Sequence, residues 1–194
     1  STGGPPEWNQ RWRTPLRTAF TDLQTKIDDH FTQRMSRWFD DPWEVRDRYE
    51  RIMQEFDDDA LERFISECTP GHMPSPDETG EIRRLLEAQK FMLYCFTSCA
   101  WFFADIGGIE TIQNLLYARR AMELGLDTDT RAVAEQALMH TLHEARSNVD
   151  GRTGDEVYAG LGNSAERYAE IAAFCAAAAT SFFRRLCSGQ RFEP

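Results

Sequence analysis

The segment His140-Thr141-Leu142-His143-Glu144 sets two imidazoles three residues apart, on one face of a helix, with a carboxylate beside them. Those are metal-ligand chemistries. The order is neither HExxH nor HxxEH, and no third ligand is suggested nearby, so a surface or core-edge pair is the better reading and no metal is expected. Ser98 and Cys99 are the candidate nucleophiles, each needing a base and a group to orient it. No nucleophile-elbow glycines flank Ser98, and it falls within a helical pattern, which argues against a serine triad or a thiol–imidazole dyad. Acidic residues are so plentiful that pairing any two as acid and base carries no information. Gly151 and Gly154 form neither GxGxxG nor a phosphate-binding loop, so no nucleotide cradle is indicated; no cofactor and no catalytic residue is expected.

The most pointed stretch is Phe96-Thr97-Ser98-Cys99-Ala100-Trp101-Phe102-Phe103-Ala104-Asp105-Ile106-Gly107-Gly108-Ile109-Glu110-Thr111. Small polar groups, a thiol and a run of three aromatics come together there, and a double glycine follows. Polar atoms among aromatic rings suggest a surface shaped to meet something. Sugars stack their C–H faces on aromatic rings while carboxylates and amides take the hydroxyls, which fits the usual mix of pocket residues. Ser98, Trp101, Phe102, Asp105 and Glu110 are therefore the candidate substrate-binding or interface residues. The chain holds 5 Trp, 13 Phe and 5 Tyr, and nearly all of these rings read as core at helical spacing. Trp38 and Trp43 flank the Asp40-Asp41-Pro42 turn, where they either pin two helices together or sit at an interface.

The elements that must position these residues are helices. Thr14-Pro15 reads as a helix start, and Leu16, Phe20, Leu23, Ile27, Phe31, Met35 and Trp38 recur as one apolar stripe. Asp41-Pro42 breaks that helix and caps another, with Trp43, Tyr49, Ile52, Met53 and Phe56 as its apolar positions. Asp57-Asp58-Asp59 opens a third helix before Leu61, Phe64 and Ile65. Residues 69–76 hold three prolines and a glycine and form a loop. One long helix is predicted from about Glu78 to Ile106, ended by Gly107-Gly108, and a further one carries Ile109, Ile112, Leu115, Leu116 and Met122. Thr130 to Ser147 is predicted helical with Val133, Ala137, Leu138 and Leu142 inward. A polar turn (148–154), a weak helix or irregular link (155–162) and a last helix (165–186) complete the chain. No segment alternates with period two, so no strands are predicted. The fold class is all-α, a multi-helix bundle with several long amphipathic helices and no sheet.

A chain of 194 residues suits one domain with a real core. Residues 1–11 read as a linker or cloning remnant, and 12–190 as a single helical domain excised from a larger protein. Net charge is −10, from 32 acidic and 22 basic residues. That balance disfavours nucleic acid and an anionic membrane as partners, since both draw their affinity from clustered cations. The five cysteines, an odd number without CxxC spacing, argue against a disulfide framework and for a reducing, cytoplasmic setting.

Three strings carry a resemblance: Trp12-Arg13-Thr14-Pro15-Leu16-Arg17, Asp41-Pro42-Trp43-Glu44-Val45-Arg46-Asp47-Arg48-Tyr49, and the 96–111 stretch. The chain resembles an uncharacterised helical domain that, in bacterial proteins, follows a catalytic domain of the glycoside hydrolase family 57 type. The resemblance runs from about Trp12 to the last predicted helix. It implies a place in carbohydrate metabolism. Enzymes of that family act on α-glucans with a Glu nucleophile and an Asp acid on an incomplete β/α barrel. The helical region after the barrel packs against it and sends an aromatic-bearing segment, often Ser-Asp-Trp-like, toward the cleft. Ser98-Cys99-Ala100-Trp101 is the counterpart the resemblance implies, although no Asp directly precedes the Trp and Asp105 follows one turn later.

Two-carboxylate hydrolysis needs a fixed pair flanking the bond, and neither the barrel nor its carboxylates are in this sequence. The resemblance therefore implies a non-catalytic accessory domain. Its partners would be the N-terminal catalytic domain of the same polypeptide and an α-glucan oligosaccharide. The alternative is a stand-alone helical protein-interaction or structural module without sugar chemistry.

Overall fold

A computed structural model describes residues 4–53, 58–69 and 74–162. The last predicted helix, 165–186, lies outside the described residues, as do Phe56 and Asp57. The chain divides into two compact units, Ser1–Ala159 and Gly160–Pro194, and the helices below belong to the first.

Helix α1 (Arg13–Met35) carries the predicted stripe as far as Met35, with Leu16, Phe20, Leu23, Ile27, Phe31 and Met35 all buried and Trp38 beyond its end. Its start lies just ahead of the predicted Thr14 cap, because a turn closes first: the Arg13 and Thr14 amides donate to the Gln10 and Arg11 carbonyls at 3.1 and 3.3 Å. Helix α2 (Pro42–Tyr49) opens as its sequence requires. Asp41 Oδ1 accepts from the Trp43 and Glu44 amides at 2.9 and 3.1 Å, and Pro42 sits where no donor is needed. A 3-10 turn (Glu50–Ile52) follows, then α3 (Asp58–Cys68) with Leu61, Phe64 and Ile65 buried.

Helix α4 (Pro76–Tyr94) begins ahead of Glu78 because Ser75 and Glu78 form a reciprocal capping box. The Ser75 amide donates to the Glu78 carboxylate at 2.8 Å, and the Glu78 amide to the Ser75 hydroxyl at 3.4 Å. Then come α5 (Cys99–Phe102), α6 (Ile109–Gly125), α7 (Thr128–Leu142) and α8 (Gly154–Ala159). The fold is all-α: among the described residues there is no strand, only an isolated antiparallel bridge between Arg146 and Thr153.

Two predicted elements need correction. The pattern predicts one helix from Glu78 to Ile106, whereas α4 stops at Tyr94. Asn114 of α6, 1% exposed, donates from Nδ2 to the Cys95 carbonyl at 2.7 Å, and Thr97 Oγ1 donates to the Tyr94 carbonyl at 2.8 Å. With those carbonyls satisfied by side chains, the chain can leave the helix without orphaned acceptors. Gly107-Gly108 consequently ends no helix; Gly108 is the residue that precedes α6.

Helix α7 stops at Leu142, short of Ser147, and its predicted inward face holds at Leu138 and Leu142 but not at Val133 and Ala137. Val133 is 63% exposed and Ala137 is exposed, while Ala134, Leu138 and Leu142 face the core.

Helix α6 packs against α4, and α1 contacts α4, α6 and α7. Close approach needs small residues where helices touch. A Cβ on Gly125 would lie 2.7 Å from Ala88 Cβ, well inside contact distance, so α4 and α6 come together there only because residue 125 has no side chain. A second apolar cluster joins the lower half of α1 to α2, α3 and α4 through Phe31, Phe39, Tyr49, Phe64 and Ile82. Trp38 and Trp43 pin this cluster: Trp43 lies 5.3 Å from the Phe31 ring, and Trp38 Nε1 donates to Glu78 at 3.1 Å.

Candidate functional site: the corner at residues 96–111

The break after α4 folds residues 96–111 into a corner between α4 and α6. Its organising group is Asp105, 7% exposed. Oδ2 accepts from the Gly107 amide at 2.8 Å and from Ser147 Oγ at 3.1 Å, while Oδ1 accepts from the Asn148 amide. Its backbone carbonyl accepts from the Gly108 amide at 3.2 Å and from Thr111 Oγ1 at 3.2 Å. Asn148 extends the seam. Its Nδ2 donates to the Ala104 carbonyl and, at 2.9 Å, to the Asn9 carbonyl, and its Oδ1 accepts from the Asn9 amide at 3.1 Å. The Asp105 carboxylate thus fastens the corner to the 147–148 turn, and Asn148 continues the fastening to the segment ahead of α1. Both carboxylate oxygens are engaged within the fold.

The aromatics divide. Trp101 is half-buried, edge-on to Phe20 with ring centroids 6.3 Å apart. Its Nε1 is buried without a hydrogen-bond partner, as is Nε of Arg13. Phe102 and Phe103 point outward, 80% and 44% exposed, in an edge-to-face pair 5.3 Å apart. Their backbone is held rather than loose: Arg13 Nη2 donates to the Phe102 and Phe103 carbonyls at 3.3 and 3.0 Å. Ile109, at the start of α6, is likewise exposed.

Beside Trp101 runs a shallow groove lined by Arg13, Thr14, Arg17, Thr18 and Trp101. The Arg17 guanidinium lies 4.6 Å from the Phe96 ring centroid and 5.7 Å from that of Trp101. Arginine stacked in this way keeps its planar edge available for oxygen acceptors.

Of the five candidate residues, Ser98, Trp101 and Phe102 share the short α5 segment and its cap. Ser98 is exposed at the N-cap, where its side chain makes no capping bond, and not inside a helix as its pattern suggests. Glu110 is half-buried in the first turn of α6. Asp105 faces inward. The sequence assigns no site role to Arg13, Arg17, Ser147 or Asn148. The two arginines were readable as neighbours one helical turn apart, whereas nothing local in the sequence ties residue 148 to residues 9 and 105.

The remaining candidate chemistries are placed elsewhere. His143 Nδ1 lies 3.1 Å from the Asp155 carboxylate on the surface, and His140 is exposed. Among the described residues, no group of three or more His, Cys, Asp or Glu side chains could hold a metal ion. Cys95 is fully buried, and burial pushes its thiol well above its ordinary pKa, which keeps it protonated and inert. No described helix is long and apolar enough to cross a membrane.

An all-helical domain with an outward aromatic pair on a fastened corner is the class of protein these features define. The chain matches the family described as Domain of unknown function (DUF3536) over residues 8–190, nearly its whole length, and belongs to that family. No curated protein and no solved structure matches it.

Proposed function

We propose that this chain is a non-catalytic helical accessory domain of a family 57-like glycoside hydrolase. In this reading it packs on the N-terminal catalytic barrel of the same polypeptide, in the bacterial cytoplasm, and lends an aromatic segment to the α-glucan cleft. The observation that carries the reading is the Phe102–Phe103 pair, exposed yet held in place by Arg13. Burying two Phe side chains on a partner would be worth roughly 1.5–3 kcal/mol each. A rigid backbone would add no ordering cost to that gain. The resemblance of the 96–111 stretch supplies the identity of the partner.

The test is made on the parent polypeptide. Replacing Phe102 and Phe103 together by Ser should loosen the interface between the barrel and the helical domain, seen as faster proteolysis between them, and should lower α-glucan hydrolysis. Unchanged proteolysis and unchanged activity in a folded double variant would sink the docking role. Calorimetric titration of the isolated chain with maltooligosaccharides, repeated on Trp101→Ala, separates the second part of the reading. Binding lost in a folded variant supports a glycan contact at the corner. No binding in either leaves docking alone. A parent chain lacking any barrel would favour the stand-alone interaction module instead.

A further inference from the structure

The groove beside Trp101 has a chemistry of its own. Its lining residues are Arg13, Thr14, Arg17, Thr18 and Trp101, with no carboxylate among them, in a chain whose net charge is −10. Arg13 spends its Nη2 on two carbonyls, and Arg17 has no ion-pair partner among the described residues. Several other arginines of the molecule are paired, among them Arg34 with Glu81 and Arg46 with Asp47. The Arg17 guanidinium is steadied by stacking on Phe96 and Trp101, so less rotamer freedom is lost when its edge meets a ligand. The backbone amides of Arg13 and Thr14 are already taken by Gln10 and Arg11, so the donors on offer are side chains. Two threonine hydroxyls stand with the two guanidinium groups along one stretch of α1.

We propose that the Arg13–Arg17–Trp101 groove receives an oxyanion, a carboxylate or phosphate group, bound through the free edge of Arg17 with the Thr14 and Thr18 hydroxyls beside it. Planar guanidinium edges match such groups in a bidentate manner, and bonds between charged partners are the strong ones. The site rests on these side chains and not on the docking reading.

The experiment is a titration of the isotopically labelled chain with inorganic phosphate at constant ionic strength, followed through the Trp101 indole N–H resonance. That signal is assigned by its loss in Trp101→Phe. The expected result is a saturable shift, with affinity about tenfold or more weaker in Arg17→Gln. Arg17→Lys, which keeps the charge and loses the fork, should fall between the two. A parallel titration with acetate tells which group is preferred: a response to phosphate alone assigns a phosphate ligand, and a stronger response to acetate a carboxylate. No saturable shift with either anion overturns the proposal, as does an unchanged affinity in Arg17→Gln. Should Arg17→Gln lose its folded spectrum, the Arg17→Lys variant decides, and wild-type affinity there overturns the bidentate site.

Discussion

Two tryptophan-bearing turns of this molecule look alike in sequence and differ in structure. At residues 38–43, Trp38 and Trp43 flank an Asp-Pro helix start and close on the cluster around Phe31, Tyr49 and Phe64. At residues 101–103, Trp101 goes half inward while Phe102 and Phe103 are left outside. Aromatic density does not tell these turns apart. The polar groups around each do. In the first turn Asp41 caps the backbone and Glu78 accepts from the Trp38 indole, so polar groups serve chain and ring alike. In the second, Arg13 and Asp105 fix the chain and Arg17 covers Phe96 and Trp101, while among the described residues Phe102 and Phe103 have no aromatic partner beyond each other.

The contrast can be sharpened by substitution. Phe31→Ala in the packed turn should cost about 4 kcal/mol of stability, because it removes a buried ring and leaves a cavity. Urea denaturation measures this, and a loss under about 1 kcal/mol would mean the cluster collapses freely around the gap. Asp105→Ala should cost about 3 kcal/mol, since the Gly107 and Asn148 amides and the Ser147 hydroxyl lose their acceptor. Hydrogen exchange at those amides should rise in the same variant, and unchanged exchange would show that the corner holds itself without the carboxylate.

The packed turn also carries a pH signature. Burial, followed by the hydrogen bond to Glu87, raises the Tyr49 phenol above its ordinary 10.0. Burial raises Tyr158 too, although Arg119 opposes it. A phenol whose folded pKa is raised holds its proton more tightly in the native state. The stabilisation is complete below the unfolded value near 10.0 and is lost as pH climbs through the folded one. Unfolding free energy should therefore decline above about pH 10, and Tyr49→Phe should flatten part of that decline. A flat alkaline limb in the unmodified chain would contradict the burial of both phenols.

Smaller effects close the series. Asp41→Ala removes the α2 cap and should cost about 1 kcal/mol in the same denaturation assay. Phe102→Ala should change stability by less than about 0.5 kcal/mol. A larger loss would mean that Phe102 belongs to the core and that the two turns are not so different.

What was legible in the sequence was local. Asp41-Pro42 declared its helix because cap and proline act on neighbouring amides, and the α1 stripe declared its buried face by spacing alone. Where α4 ends was not legible, since its apolar pattern runs on past Tyr94 and the groups that release the chain include Asn114, on another helix. Val133 and Ala134 show how narrow the margin is: they are neighbours on α7, yet the valine lies in solvent and the alanine in the core.

The 96–111 stretch stands out in the sequence by its mixture of polar and aromatic groups. The part played by Asp105 was hidden, because nearness to Trp101 in sequence suggested a ligand contact while its actual partners sit at Ser147 and Asn148. Arg13 and Arg17 take no site role from the sequence because arginines on a helix usually face water, and only the folded corner shows what they touch.

The Asn9–Asn148 exchange joins positions 139 residues apart. Contacts so distant along the chain pay a large loop-closure entropy and tend to form after local helices are in place. The fastening of the corner to the segment ahead of α1 should then form after the local helices of this unit. Pulse-labelled hydrogen exchange during refolding would show it, with the Gly107 and Asn148 amides protected after those of α1 and α4. A Phe102–Phe103 pair set in place only by such a closure would not stand in its final form on an immature chain, and Asn148 is the residue on which that delay would turn.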